Sequence, residues 1–361
     1  MNYKTAGESH GKGLLALVEN YPARIPIDLE AINTELQRRQ GGYGRGGRQN
    51  IEKDTVEILT GIWRGQSTGA PITLWVKNRD VRIDVAPDIF QPRPGHADLA
   101  GTIKYGVPIR PILERASARE TAARVAAGAL AKQYLATKGI QVAGFVKNIG
   151  GFLPDFPDAG DEVFNYDEII ERRNRSIFYS LQPERDEMLK SEIDRIEAEG
   201  DSVGGVIEVR VFGVPIGLGA HTQWDEKLDG KLAQAVMSVQ AQKGVEIGMG
   251  FAAAQKQGSQ VHDPINYELV LADSPCQGFV RPTNNAGGIE GGMSNGQTIV
   301  IRSAMKPIPT LKKPLGSIDL RTKEPLPTIY ERSDVCAVPA GSVVIENVVA
   351  IEIAKALLER I

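Results

Sequence analysis

The chain has 361 residues, 42% of them apolar and 24% charged, and a formal net charge of −3. It is long enough to bury a large core, and its composition is that of an ordinary globular protein. The acidic balance and 6% aromatic content argue against a nucleic-acid partner, which needs a basic face with stacking aromatics. No window approaches the ~20 apolar residues that span a bilayer, so no membrane partner is expected. Cys276 and Cys336 are the only cysteines, too few for a disulfide framework or a zinc site. The opening Met1-Asn2-Tyr3-Lys4 lacks the form of a secretory leader, and a reducing cytoplasm is the expected setting.

Asp28 is placed to cap a helix through Arg38, with Leu29, Ile32 and Leu36 on one face. A glycine-rich loop, residues 41–48, follows it. Thr55 to Leu59 and Ile72 to Val76 read as strands. Ser117 is expected to cap a long alanine-rich helix through Ala136, ended by Gly139. Ile140 to Val146 reads as a strand, and Glu184 to Glu199 as an exposed charged helix closed by Gly200. Then come a strand at Val206 to Phe212, a helix at Lys227 to Gln240, a strand at Gln297 to Ser303 and a last helix at Val343 to Glu359. No Gly/Ser or proline linker divides the chain, so it reads as α+β, one domain over residues 1–361. Strand-rich segments before the helices at 118–136 and 227–240 suggest a duplicated core, without any residue-level repeat.

The 39 glycines are about 11% of the chain against a typical ~7%. They cluster at 41–47, 244–250 and 287–296, which marks backbone at positive φ or pressed against a ligand. Arginines stand in or beside such strings: Arg39, Arg45 and Arg48 around the first loop, Arg93 before His96, and Arg115 and Arg119 flanking Ser117. Guanidinium groups bind phosphate and carboxylate bidentately, so the set points to a small, highly anionic substrate. Of four histidines, His221 and His262 read as surface or structural. His10, in Ala6-Gly7-Glu8-Ser9-His10-Gly11, and His96, in Arg93-Pro94-Gly95-His96-Ala97-Asp98, sit in compact polar strings that suit proton handling. Asp334, in Glu331-Arg332-Ser333-Asp334, is a further candidate, whereas Cys336 reads as a small buried apolar residue. The string from Thr283 to Gly296 has neither a dinucleotide nor a Walker fingerprint. No metal is expected.

Taken in order, these strings resemble the chorismate synthase family. The match runs through Gly7-Glu8-Ser9-His10-Gly11, Arg38-Arg39 with Gly44, Gly46, Gly47 and Arg48, and Arg93 to Asp98. It continues through Arg115-Ala116-Ser117-Ala118-Arg119-Glu120-Thr121, Asn284 to Gly292 and Arg332-Ser333-Asp334. It covers nearly the whole chain. The resemblance implies elimination of phosphate from 5-enolpyruvylshikimate 3-phosphate (EPSP) to give chorismate in the shikimate pathway. Reduced FMN is required without net oxidation. It implies a β-α-β sandwich with helices layered between antiparallel sheets, and a homotetramer. By the same resemblance His10 protonates the departing phosphate, His96 tunes the flavin, and Asp334 is the proton acceptor acting through flavin N5. Ser9, Arg39, Arg48 and Arg119 hold EPSP. The flavin positions are Arg115, Ala116 and Ser117, Gln240 and Ala241, Gly291, Lys306, Pro307, Ile308, Pro309 and Thr310, and Arg332. Arg39 and Arg45 also match positions assigned to NADPH in members that reduce their own flavin. Three departures stand out. Asn20 replaces a common glycine, Ala116 replaces a common serine, and Asn78 to Gln91 is variable, so no role carries over to it. A degenerate, non-catalytic relative would lose His10, His96 or Asp334, and all three are present.

Overall fold

The computed structural model describes residues 1–46, 53–153, 164–331 and 333–360. Two four-stranded antiparallel sheets sandwich a helical layer. In the first sheet Asn2–Gly7 pairs Gly13–Glu19, which pairs Ile72–Lys77, which pairs Val56–Ile58. In the second, Gln141–Ile149 pairs Gly205–Phe212, which pairs Ile299–Met305, which pairs Gln242–Ile247. Counted along the chain, both sheets have the order first, second, fourth, third. Each has a helix between its second and third strands, Leu29–Gln40 in one half and Leu228–Met237 in the other. Each half's fourth strand is followed by its main central helix, Thr121–Ala136 or Val338–Glu359. The duplication is therefore in topology. It pairs the 121–136 helix with the C-terminal helix, not with the helix at 227–240 that the sequence suggested.

The central helices explain the layering. Val338–Glu359 is apolar on nearly every face and almost wholly buried, as a helix enclosed by protein must be. It packs on the second sheet and on Thr121–Ala136, which packs on the first. Gly128 permits the close helix crossing: a Cβ there would lie 2.4 Å from Asn347 Cβ and 2.6 Å from its carbonyl oxygen. Glu346, fully buried, ties the layers together. Its carboxylate accepts from Arg38 Nη2 at 2.9 Å, Arg173 Nη1 at 3.0 Å and the Gly144 amide at 3.1 Å, and it also meets Lys132.

Asp28 caps the first helix as expected, its Oδ1 accepting from the Glu30 and Ala31 amides, and Gly139 and Gly200 stand at φ 71 and 73. Asn20 holds φ 57, the left-handed turn that explains why glycine also serves there. Elsewhere the expectations need correction. Ser117 caps only the short turn Ala118–Glu120, and the α-helix begins at Thr121, because a separate helix, Ile109–Ala116, ends just before it. The C-terminal helix starts at Val338 rather than 343, with Pro339 in its first turn, where a missing N–H costs nothing. The helix at 227–240 stops at Met237, short of Gln240. Among the described residues, no helix is long and apolar enough to cross a membrane.

Candidate active site

The first sheet's hairpin presents His10. The turn between its first two strands is pinned by Asn78, which ends the partner strand and donates through Nδ2 to the carbonyls of Glu8, Ser9 and Gly11 at 2.9–3.1 Å. Glu114, on the Ile109–Ala116 helix, fixes the histidine from the other side. Its carbonyl accepts from the Ser9 amide at 3.0 Å. Its carboxylate accepts from the His10 amide at 2.8 Å and lies 2.9 Å from Nδ1. Burial pushes this carboxyl up, but the His10 hydrogen bonds more than offset that and hold it below its ordinary range. The proton on the imidazole is thereby assigned to Nδ1, and Nε2 faces outward.

Behind His10 lies an arginine pair. Asp54, 2% exposed, accepts from Arg39 Nη2 at 2.7 Å and from Arg119 Nη1 at 2.6 and 2.7 Å. Arg119 Nε donates to Asn78 Oδ1 at 3.0 Å, which joins the pair to the His10 turn. Ser9 is buried beside it.

The second histidine is built into a helix start. His96 Nδ1 lies 2.5 Å from Asp98 Oδ1, and Arg93 Nε donates to Asp98 Oδ2 at 2.8 Å. Burial raises the Asp98 carboxyl, while His96 and Arg93 pull it far below the carboxylate range. Arg93 Nη1 also donates to Thr310 Oγ1 at 3.0 Å. Lys306 Nζ donates to the Gly95 carbonyl. Residues 306–310 therefore lie against the His96 string. Pro309 sits next to Gly95, and the Ile308 carbonyl accepts from Ser202 Oγ at 2.6 Å.

Several resemblance-derived flavin positions meet here. The Lys306 amide donates to the Ala241 carbonyl at 2.9 Å, and Ala241 itself stands at φ 68, a conformation alanine rarely adopts. Gln240 Nε2 donates to Glu120 Oε2 at 3.2 Å. Glu120 in turn accepts from Thr5 Oγ1 at 2.5 Å. Arg115 donates to the carbonyls of Gly7 and Thr5, and Ser117 Oγ accepts from the Arg119 amide at 3.3 Å. Burial, then Lys243, lowers the Lys306 ammonium.

Asp334 closes the ring of candidates. Its Oδ1 accepts from the Gly46 amide at 2.7 Å, and its Oδ2 lies 3.0 Å from Arg45 Nη1. Gly44 allows this: at φ 82 it lies against Cys336, whose Cβ would be 2.8 Å from a Cβ on residue 44. Cys336 is wholly buried and its thiol is pushed up to about 12, chiefly by burial, so it is no nucleophile. His221 and His262 are exposed. Arg48 and Arg332 lie outside the described residues.

Gly291 lies apart from Gln240. It sits in a tight turn at φ 60 beside Gly292, whose carbonyl accepts from the amide of Leu228. That is the start of the Leu228–Met237 helix, and Gln240 lies beyond its end. Ten residues of helix separate the two by about 15 Å at 1.5 Å per residue.

Sequence reasoning assigned no role to Asp54, Asn78 or Glu114, which stand alone among ordinary polar residues. Arg93 and Asp98 were visible, since they bracket His96 in one string. Among the described residues no group of histidines, cysteines and carboxylates could hold a metal.

Comparison with known proteins places the chain. A family model described as chorismate synthase matches residues 1–358. The chorismate synthase of Geobacter metallireducens is 52% identical, over 100% of this chain and 94% of its own length. That of Aquifex aeolicus is 50% identical, over 100% and 93%. A solved structure titled as the crystal structure of chorismate synthase is similar at 44% identity and a TM-score of 0.81, covering 99% of this chain and 92% of that one.

Proposed function

The chain belongs to the chorismate synthase family, and from that premise we propose that it converts EPSP to chorismate and phosphate by 1,4-anti elimination, with reduced FMN bound and no net redox change. The enzyme is a carbon–oxygen lyase. The observation that carries the reading is His10, held through Nδ1 and its own amide by the buried Glu114, so that Nε2 is the nitrogen able to meet a leaving group.

In this reading the anion is gathered by Ser9, Arg39, Arg48 and Arg119. Asp54 fixes the two guanidiniums at one spacing and prevents their mutual repulsion from spreading them. His10, protonated, gives its Nε2 proton to the departing phosphate oxygen and becomes the neutral Nδ1–H imidazole that Glu114 favours. Asp334, oriented by Gly46 and Arg45, is the carboxylate that ultimately accepts the ring proton. One proton leaves carbon and one joins phosphate, so the reaction balances without an oxidant.

The chain's donors fit a flavin nucleotide. Gln240 Oε1 is buried with no hydrogen-bond partner among the described residues. Lys306, Arg115, Ser117 and Thr310 offer cations and hydroxyls suited to a phosphate. Ala116, Ala241, Pro307, Ile308 and Pro309 offer backbone, and Arg332 is a further cation. Reduced flavin, when bound, supplies electron density to the substrate ring as phosphate leaves and recovers it afterwards. His96, fixed by Asp98 through Nδ1 and with Arg93 Nη2 3.3 Å from its Nε2, would tune the protonation of the flavin. The assignment of Arg39 and Arg45 to NADPH as reductant competes with EPSP for the same arginines, and we assign them to the anionic substrate in preference. We further propose one domain over 1–361, a cytoplasmic location and a homotetramer, with Gly291 among the flavin positions.

Anaerobic protein with dithionite-reduced FMN is expected to release phosphate from EPSP, and no release would overturn the reading. His10→Ala and Asp334→Ala are expected to keep FMN binding and lose turnover.

A further inference from the structure

Arg82 stands on the segment from Asn78 to Gln91, to which the family resemblance assigns no role. The segment is docked directly on His10: the amides of Arg82 and Ile83 both donate to the His10 carbonyl at 3.1 Å. At its other end the Pro87 carbonyl accepts from Arg110 Nε and Nη2 at 3.0 and 2.7 Å. Between these anchors the Arg82 side chain, 51% exposed, places Nη2 3.2 Å from His10 Nε2. Asp80 steadies it, with Oδ1 3.3 Å from Arg82 Nε, and Asp80 Oδ2 lies 3.7 Å from His10 Nε2.

This contact has one chemical meaning. A guanidinium only donates, so with the ring proton on Nδ1 toward Glu114, Nε2 is the acceptor of this contact. Once Nε2 carries the proton needed for general acid catalysis, two donors face each other and the contact breaks. A phosphate dianion between them accepts from both. The guanidiniums assigned elsewhere have carboxylate or carbonyl partners of their own: Arg39 and Arg119 share Asp54, Arg45 meets Asp334, and Arg115 meets the Gly7 and Thr5 carbonyls. Arg82 is the guanidinium in contact with the outward nitrogen of His10.

We propose that Arg82 is a substrate ligand that receives the phosphate of EPSP beside His10 and exchanges its place on Nε2 for that phosphate. The proposal rests on the elimination reading above. Among the described residues the charged groups against His10 are Glu114, Asp80 and Arg82, with Arg110 3.8 Å behind on Glu114.

The test compares wild type, Arg82→Ala, Arg82→Gln and Arg82→Lys. Phosphate release from EPSP gives kcat and KM, inhibition by inorganic phosphate gives an inhibition constant, and flavin fluorescence gives FMN affinity. A lost charge-assisted hydrogen bond predicts a rise of about 10- to 100-fold in the EPSP KM and in the phosphate inhibition constant for Ala and Gln. Lys is expected to restore part of both, and FMN affinity to stay at the wild-type value. Unchanged KM and unchanged phosphate inhibition in active variants would overturn the proposal. If wild type itself releases no phosphate, the elimination reading fails. Calorimetric binding of inorganic phosphate to wild type and Arg82→Ala then decides Arg82 separately: equal affinity refutes it.

Discussion

Asp54→Asn removes one negative charge from between two buried guanidiniums and keeps the side chain's shape. In the native protein Asp54, Arg39 and Arg119 are 2%, 5% and 6% exposed, so water cannot replace the lost carboxylate. The new amide would also turn N–H donors toward guanidinium donors. Breaking a buried pair by removing one partner costs about 3–5 kcal/mol. Here one carboxylate serves two cations, and we expect the upper half of that range at pH 7, read as ΔΔG of urea unfolding. The pH dependence has a definite sign. Burial alone would raise the Asp54 carboxyl, but Arg39 and Arg119 outweigh it and lower the folded-state value below 3.8. Its contribution is therefore complete above the unfolded value near 3.9 and fades as pH falls below about 4. The gap between wild type and variant should be constant from pH 6 to 8 and shrink in acid. An anion seated on the bared arginines should also rescue the variant: phosphate at 100 times its Kd returns about 2.7 kcal/mol. A loss below 1 kcal/mol at pH 7, or a gap that grows in acid, would refute the claim that Asp54 holds the two arginines by charge.

Gly128→Ala sets two effects against each other. Helix propensity favours alanine by about 1 kcal/mol, but the new methyl would meet the Asn347 backbone and Cβ at 2.4–2.6 Å, and overpacking costs about 1–3 kcal/mol. Because a backbone carbonyl cannot step aside cheaply, we expect net destabilisation by thermal melt, and a raised midpoint would contradict the crossing geometry. Glu114→Gln should lower kcat about 10- to 100-fold, the value of a charged hydrogen bond, with FMN affinity intact by fluorescence titration. Unchanged kcat would remove Glu114 from the account. Thiol titration of native protein should report the partly exposed Cys276 alone, since Cys336 is 0% exposed with its thiol pushed up to about 12. Two fast equivalents would show that the Gly44 contact opens readily.

Local signals in the chain predicted its helices best where caps are chemical. Asp28, Gly139 and Gly200 each mark an end through a side-chain acceptor or a left-handed φ. The first hairpin escaped notice because Asn2–Gly7 is an edge strand that alternates only between exposed and half-buried positions, so it carries no row of buried apolar residues to reveal it. The helices Asp98–Tyr105 and Ile109–Ala116 are each only eight residues, too short for periodicity to stand out. At the candidate site, the residues proposed to handle anions and protons were legible because glycine and arginine mark their strings. Their holders were not. Asp54, Asn78 and Glu114 act on partners 15 to 104 residues away in sequence, and only the folded layers bring them together. Gly291 shows the opposite case: its motif is plain in sequence, yet the Leu228–Met237 helix separates its turn from Gln240.

In the proposed elimination a histidine fixed by a buried carboxylate meets the phosphate that leaves. A crystal structure of the protein with EPSP and FMN tests it most directly. His10 Nε2 is expected within about 2.6–3.2 Å of a phosphate oxygen, with Nδ1 still on Glu114 and Arg82 moved onto the same phosphate. A phosphate bound away from His10, with Nε2 still facing Arg82, would contradict it.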